Sequence, residues 1–499
     1  MPTNAAKHTP VIVGVAQNEQ RITDWENHKE PLELMYEALQ AAAVDCSNPK
    51  IIEAATAIRV VRGRWPYTNP AAILRERLNL PGAETAISQF GGNFVQTVVN
   101  QTALDIQNGT HDVVLITGAE CGNTQAKAKR AGAKLRWEAL GGAPDRVYGE
   151  EVSMAHPEEM KCQIGAPIQL YAMFENALGH AIHGPGKEAR AAHLQKVAEL
   201  WASFSEVAAN NPHAWVREAK TAESLLQPTG GNRPVSQPYP KFLNSNSSVD
   251  QGAALIMCST EKARELGISE DRWVYLHAGT DAHDTYHVSN RDNLYSSPAI
   301  RHAGKRCLEL AGVQASELGN VDLYSCFPVA VQVAARELGL VDRTPLTVTG
   351  GLTFAGGPLN NYVMHSIATT VELSRAQPGS KNLVTANGGF LTKHAFGVYS
   401  GDEPAQPFAH EDLQPQVDAE PTRELIEGFA GQATVESYTV MYDGDGPRTG
   451  HIAALTHGGE RVWGSVHDKD QVGELAELGV NGDVIGRPVS IADHVAELG

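Results

Sequence analysis

The chain has 499 residues, 42% of them hydrophobic and 20% charged, with a formal net charge of −18. That length and apolar content support a large core divided among more than one domain and exclude fibrous and disordered classes. The negative charge repels polyanions, which excludes nucleic acid and anionic membrane as general partners but leaves small anions open to local basic patches. Six irregularly placed cysteines, no CxxC and no obvious secretory segment lead to the expectation of a reduced, cytoplasmic protein. No apolar run approaches the roughly eighteen residues of a membrane span.

Thr9–Val15, TPVIVGV, is a short β-rich run. Pro31–Val44 then places Leu32, Leu34, Met35, Leu39 and Ala42 at helical spacing, so a strand followed by a helix is predicted. Asp112–Ile116 and Asn382–Thr385 are further buried-type strands, each ending at Gly or Asn where the chain must turn. Strands alternating with helices imply a parallel sheet covered on both faces. DVVLITGAE near residue 112 and NLVTANGG near residue 382 fit corresponding places in two duplicated halves.

Between those units, Gln125–Trp137 concentrates Lys127, Lys129, Arg130, Lys134 and Arg136. It reads either as a solvated helix face or as a patch for phosphates. Gly184-Pro185-Gly186-Lys187 lacks the rest of a phosphate loop. His277–His287, HAGTDAHDTYH, matches no metal-ligand spacing and reads as a polar loop, so no metal site is expected.

Gly401–Pro421 is rich in Pro, Asp, Glu and Gln without periodicity and reads as an exposed linker. Beyond it, Ala433–Tyr442, Gly450–Leu455 and Val462–Val466 carry strand patterns separated by DGDG and HGGE turns. A small antiparallel β-barrel, separable from the rest, is predicted.

Four segments, Phe90–Glu120, Leu323–Phe327, Gly350–Pro358 and Asn387–Gly389, give the chain a resemblance to the thiolase superfamily, closest to sterol-carrier-protein-type thiolases and thiolase-like proteins of type 1. The resemblance implies an α/β fold, a thiolase-like αβαβα sandwich of two duplicated halves with a loop domain, followed here by the extra barrel. The implied division is residues 1–120 for the N-terminal half, 121–245 for the loop domain, 246–400 for completion of the core, 401–420 for the linker and 421–499 for the barrel.

The family's reactive groups are missing. Anchored on Asn108-Gly109 and Gly118-Ala119-Glu120, the nucleophilic cysteine position falls on Gly92. The Gly-His-Pro motif reads Gly356-Gly357-Pro358, and the final Cys-Gly-Gly reads Asn387-Gly388-Gly389. The Asn-Glu-Ala-Phe or His-Asp-Cys-Phe motif reads Tyr324-Ser325-Cys326-Phe327. A helix from about Val95 still aims its N-terminus at the site. Tyr324 can donate a hydrogen bond or exchange a proton, and His394, with His365 as an alternative, can act as a base near neutral pH. Cys326 is either a nucleophile paired with His394 or a packed apolar side chain.

The resemblance therefore implies a protein that takes a coenzyme A thioester as substrate or ligand, requires no further cofactor and lacks ordinary acetyltransferase activity. Lys127, Lys129 and Arg130, with Asn387, Gly388 and Gly389, are the expected contacts. A carbon–carbon lyase acting on a β-hydroxyacyl-CoA is the second reading, because related steroid side-chain aldolases carry a tyrosine in this motif and work with a separate barrel partner. A non-catalytic acyl-CoA-binding or scaffold subunit is the third. Family default is a homodimer, a monomer is the alternative, and the barrel is a possible protein-docking module.

Overall fold

Apolar runs become buried strands, and the amphipathic runs between them cover those strands. The computed structural model, which describes residues 8–498, opens with β1 (Pro10–Glu19), whose Val11, Ile12 and Val13 are fully buried. α1 (Pro31–Asp45) begins on Pro31, where no backbone N–H is needed, and lays Leu34, Met35, Ala38 and Ala42 on the sheet. Gly14 permits that approach, since a Cβ there would sit 2.3 Å from the Ala42 carbonyl oxygen.

The core continues through β2 (Ala57–Val60), β3 (Glu84–Ser88), α2 (Phe94–Gln107), β4 (Val113–Cys121), α3 (Gly122–Arg130) and β5 (Arg146–Tyr148). The loop domain supplies α4 (Pro167–His183), α5 (Lys187–Asn210), β6 (Pro234–Ser236) and β7 (Tyr239–Pro240). The core is completed by β8 (Asp250–Ser259), β9 (Val274–His283), β10 (Val321–Asp322), α6 (Pro328–Leu338), α7 (Tyr362–Ala376), β11 (Asn382–Gly388), β12 (Lys393–Ser400) and β13 (Ala409–Asp412).

The strands form one ladder of eleven, β10-β11-β12-β9-β1-β8-β4-β2-β3-β5, with β13 beside β9. β1 meets β9 only through Val11↔Tyr275 and Ile12↔Val274, so the ladder is two leaves joined at an edge. α2 and α7 lie between the leaves and touch strands of both, α1 covers one outer face and the helical turns of Ile300–Leu310 cover the other. This is the expected αβαβα sandwich. Its duplication is visible in the second strand pairs, since β4 after α2 pairs antiparallel with β8, and β11 after α7 pairs antiparallel with β12.

Three local expectations are corrected. The supposed linker is bound to the core: β13 adds a parallel strand to β9, and Phe408, Leu413 and Val417 are buried. The basic segment is helical only through Arg130, so Lys134 and Arg136 lie beyond the helix. The histidine-rich stretch is mostly strand β9, with Asp281 taken by Thr97, Asn100 and His410.

The C-terminal unit comprises β14 (Gly431–Asp443), β15 (Gly446–Leu455), β16 (Arg461–Val466), α8 (Lys469–Asn481), β17 (Pro488–Ala492) and β18 (Val495–Leu498). Its five strands close in the order β14-β15-β16-β18-β17 around Val435, Val440, Ile452, Val462 and Ile491, and all contacts are antiparallel except β16–β18. α8 is capped by Asp468 and ended by Gly482 in the left-handed region.

The barrel is not free of its surroundings. β6 and β7 of the loop domain extend its sheet from β14, and Ser437 Oγ donates to the Met173 carbonyl on α4 at 2.6 Å. Arg461 on β16 is fully buried, paired with Glu436 at 2.6 Å, and donates to the carbonyls of Val288, Ser289 and Arg291 in the core. The expectation of a separable module is therefore replaced by one of a keyed unit, because removing the barrel orphans these buried groups. Arg461→Ala should destabilise the protein by about 3–5 kcal/mol, the cost of stranding a buried partner. The full chain should unfold in one cooperative transition under denaturant followed by circular dichroism, and a chain truncated after Glu420 should be insoluble or unfolded; a truncated core that melts with the full-length midpoint would contradict this.

Candidate functional site

Four loops converge on a cleft of about 1200 Å³: the Gln89–Gly92 turn after β3, Tyr324–Phe327 after β10, the Gly357–Asn360 turn before α7, and the β11–β12 turn. α2 begins directly behind Gly91 and Gly92, and its N-cap Asn93 makes no side-chain capping bond, which leaves the positive end of the helix dipole at the cleft. All four regions singled out by the sequence thus reach one site.

Gly92 is sterically locked. A Cβ there would lie 2.4 Å from the Asn387 carbonyl oxygen and 2.6 Å from the Tyr324 hydroxyl. The space in which a nucleophile at residue 92 would begin is already filled. Gly357 differs, since its nearest neighbours would be the Asn246 and Leu352 carbonyl oxygens at 3.3 and 3.4 Å, so the backbone alone does not forbid a side chain there.

Tyr324 is placed by its own N–H, which donates to Thr385 Oγ1 at 2.9 Å, and by edge-on packing against Tyr362 at 5.6 Å. Its hydroxyl has no protein hydrogen-bond partner among the described residues. Burial, with Cys326 and Tyr362 adding, pushes its pKa well above the ordinary tyrosine range, so it is a neutral donor.

Cys326 also lines the cleft, but burial pushes its thiol up to about 12, and it makes no hydrogen bond to His394. A thiol in that state is a poor nucleophile, and the packed role is the one this geometry supports. Asn387 Nδ2 donates to the Tyr171 hydroxyl at 2.9 Å and lies 3.7 Å from Cys326 Sγ, while its Oδ1 is buried without a partner. Tyr171 comes from α4, stacks on Phe327 at 4.5 Å and accepts from the Leu391 N–H at 2.8 Å, so the loop domain pins the β11–β12 turn. Gly388 and Gly389 line the cleft beside Asn387.

His394 does not line the cleft. It is the cross-strand neighbour of Asn387, yet its ring sits behind the site at a void of about 10 Å³, held by the Leu391 carbonyl at 3.2 Å and by Asp284 at 3.6 Å. Burial alone would raise the Asp284 carboxyl, but Arg291 and His394 hold it below the usual range. His365 is also away from the cleft, bonded to Gln17 at 3.0 Å and kept neutral by burial, with a pKa of about 3.

Of the three expected phosphate contacts, only Lys129 reaches the cleft. Lys127 is taken by the Ile22 carbonyl, and Arg130 turns back to the Ala126 carbonyl at 3.2 Å. Arg62, Arg64 and Trp65, which no motif marked, line the wall together with Trp137 from the end of the basic segment and with Glu150 and Glu151. Lys393 was likewise unmarked; its Nζ donates to the Phe90 carbonyl at 3.0 Å, lies 5.0 Å from the Phe94 ring centre, and is lowered by burial to about 8.

Residues 412–493 match the family described as the thiolase-like protein type 1 additional C-terminal domain. An acetyl-CoA acetyltransferase of Methanocaldococcus jannaschii is 24% identical over 246 residues, which is 49% of this chain and 54% of that protein, so the match spans about half of the archaeal relative. A steroid side-chain-cleaving aldolase of Thermomonospora curvata is 25% identical over 325 residues, covering 61% of this chain and 77% of the relative. The crystal structure of a monomeric SCP2-thiolase-like protein type 1 from Mycobacterium smegmatis is 33% identical, covers 99% of both chains and superposes with a TM-score of 0.83. With that identity over the whole length, and the extra domain at its C-terminus, the chain belongs to the SCP2-thiolase-like proteins of type 1.

Proposed function

We propose that the cleft binds an acyl-CoA and that the protein does not transfer acyl groups through a covalent enzyme intermediate. The observation that carries this reading is the filled space at residue 92, where the Tyr324 hydroxyl and Asn387 carbonyl leave no room for the thiol that acyl transfer requires. Arg62, Arg64 and Lys129 supply cations for phosphates, and Trp65 and Trp137 offer flat apolar surface for a nucleobase. The head of α2 suits a thioester oxygen. No further cofactor enters this scheme.

The chain acts as a monomer in this reading. β5 pairs with the outer edge of β3, so the strand edge at that end of the ladder is covered by the chain itself. The barrel, keyed to α4, serves as a fixed support for the loop domain in preference to a recruitment module.

The unpartnered Tyr324 hydroxyl favours a second reading, retro-aldol cleavage of a β-hydroxyacyl-CoA. A neutral phenol lining the cleft can donate to the enolate oxygen that forms as the carbon–carbon bond breaks. The relative from Thermomonospora curvata is named a steroid side-chain-cleaving aldolase, which supports this reading.

Mixing the protein with acetoacetyl-CoA and coenzyme A should give no thiolysis above background, and mass spectrometry should find no acetyl adduct on any cysteine; a burst of acetyl-CoA would overturn the first reading. Gly92→Ala should cost about 1–3 kcal/mol in denaturant unfolding, because the clashing Asn387 oxygen belongs to the backbone and cannot rotate away. If a β-hydroxyacyl-CoA is cleaved, Tyr324→Phe should slow that cleavage by about two to four orders of magnitude with little change in binding. Cleavage by Tyr324→Phe at the parental rate would remove the mechanism of the second reading. His394→Ala, by contrast, should lower the melting temperature more than it changes turnover, since its ring is held by Asp284 and Leu391 behind the cleft.

A further inference from the structure

Gly91 and Gly92 each make room for a different side chain. A Cβ on Gly92 would meet the Tyr324 hydroxyl at 2.6 Å, and one on Gly91 would meet Lys393 Nζ at 2.8 Å and its Cε at 3.2 Å. A phenol and an amine are therefore held over successive residues of one loop at the head of α2, both facing the same cleft. Neither is used up by the fold. Among the described residues the hydroxyl has no hydrogen-bond partner, and the amine makes one hydrogen bond, to the Phe90 carbonyl, and one ring contact, with Phe94, but no ion pair. An unpaired lysine in a cleft is unusual on a chain with 58 acidic residues against 40 basic ones, where carboxylates are abundant.

We propose that Lys393 is a general base that removes a proton from Cα of an acyl-CoA bound in the cleft, with the Tyr324 hydroxyl donating to the thioester oxygen as the enolate forms. This rests on the acyl-CoA reading above. The Cα–H bond breaks, the proton goes to the Nζ lone pair, and the electron pair moves through the Cα–C bond to the thioester oxygen. Return of a proton from the ammonium group to Cα restores the thioester, so the only net change is exchange with solvent. In the retro-aldol direction, the same amine takes the β-hydroxyl proton and later delivers it to Cα.

The protonation states agree with this assignment. Burial lowers Lys393 to about 8, which leaves a useful neutral fraction near neutrality, whereas burial raises the Tyr324 and Cys326 acids. Arg62, Arg64 and Lys129 are the other cations along the cleft, and Glu150 and Glu151 the carboxylates. Glu120, raised by burial to about 7, lies beneath the wall and accepts from the Arg64 N–H. Because the base must be neutral, the rate should rise with pH and level off above about 8.

The test is proton NMR of acetyl-CoA in D2O with the full chain, following loss of the acetyl methyl signal, with acetyl-CoA binding measured in parallel by equilibrium dialysis. Exchange at least about a hundredfold above the protein-free rate is expected, with the alkaline rise described. Lys393→Arg and Lys393→Gln should bind acetyl-CoA yet lose the enhancement, and Tyr324→Phe should weaken it by about two orders of magnitude. Absence of acetyl-CoA binding overturns the acyl-CoA reading and this one with it. Binding without exchange, or exchange retained by both Lys393 variants, overturns the lysine alone. Competitive acetylation of the unaltered protein by acetic anhydride, read by mass spectrometry across pH, guards against misfolded variants: Lys393 should titrate near 8, and titration together with Lys50 and the other exposed lysines would refute the assignment.

Discussion

The backbone of the Gly91–Gly92 turn crosses the end of β11 so closely that a side chain at Gly92 would strike the backbone opposite. A Cβ on Gly92 would strike the Asn387 carbonyl, and one on Gly388 would lie 2.5 Å from Asn93 Oδ1 and 3.2 Å from the Gly92 nitrogen. Contacts between backbone atoms cannot be relieved by a rotamer change, so this crossing fixes the start of α2 relative to β11. Since α2 and β11 belong to different halves of the sandwich, the same contact sets how the halves meet at the cleft. The exclusion of any side chain at residue 92 is thus part of the packing of the core.

That crossing is held from a second direction. Tyr171 on α4 receives hydrogen bonds from Asn387 and Leu391, which anchors the β11–β12 turn to the loop domain. α4 is in turn held by the barrel, through Asn176 Nδ2 to the Tyr438 carbonyl at 2.8 Å and Ser437 Oγ to the Met173 carbonyl. A continuous path of buried hydrogen bonds therefore runs from β14 through α4 to the floor of the cleft. Buried hydrogen bonds of this kind restrain the elements they connect, which gives the extra domain a structural bearing on the site.

Much of this was legible in the chain. The strand–helix alternation, the duplicated units and the barrel strands announced themselves through periodicity, and the four glycine-rich or tyrosine-bearing motifs do converge. The segment after Gly401 misled because its polar composition hides three anchors, Phe408, Leu413 and Val417, whose burial depends on a distant strand. His394 misled for a related reason: its sequence neighbourhood is right, but Asp284, which holds its ring, lies 110 positions earlier. Lys393 was invisible because a lysine in a turn normally reads as solvated, and only the fold shows its nitrogen over the Phe94 ring with no carboxylate partner among the described residues.

Burial of the groups at the floor of the cleft suits a neutral phenol and a neutral amine better than a thiolate. Burial penalises charge of either sign, so it raises the acids Tyr324 and Cys326 and lowers the base Lys393. A nucleophilic mechanism would have to form a thiolate against that penalty, with no imidazole among the described residues that line the cleft to receive the proton, because His394 and His365 are both turned elsewhere. A proton-transfer mechanism needs the opposite: a neutral base and a neutral hydrogen-bond donor present together near neutral pH. Desolvation favours that pair of states at once, and it strengthens the donor's bond to an enolate as negative charge develops. The same burial that opposes a thiolate therefore favours the neutral phenol and neutral amine on which the proposed chemistry depends.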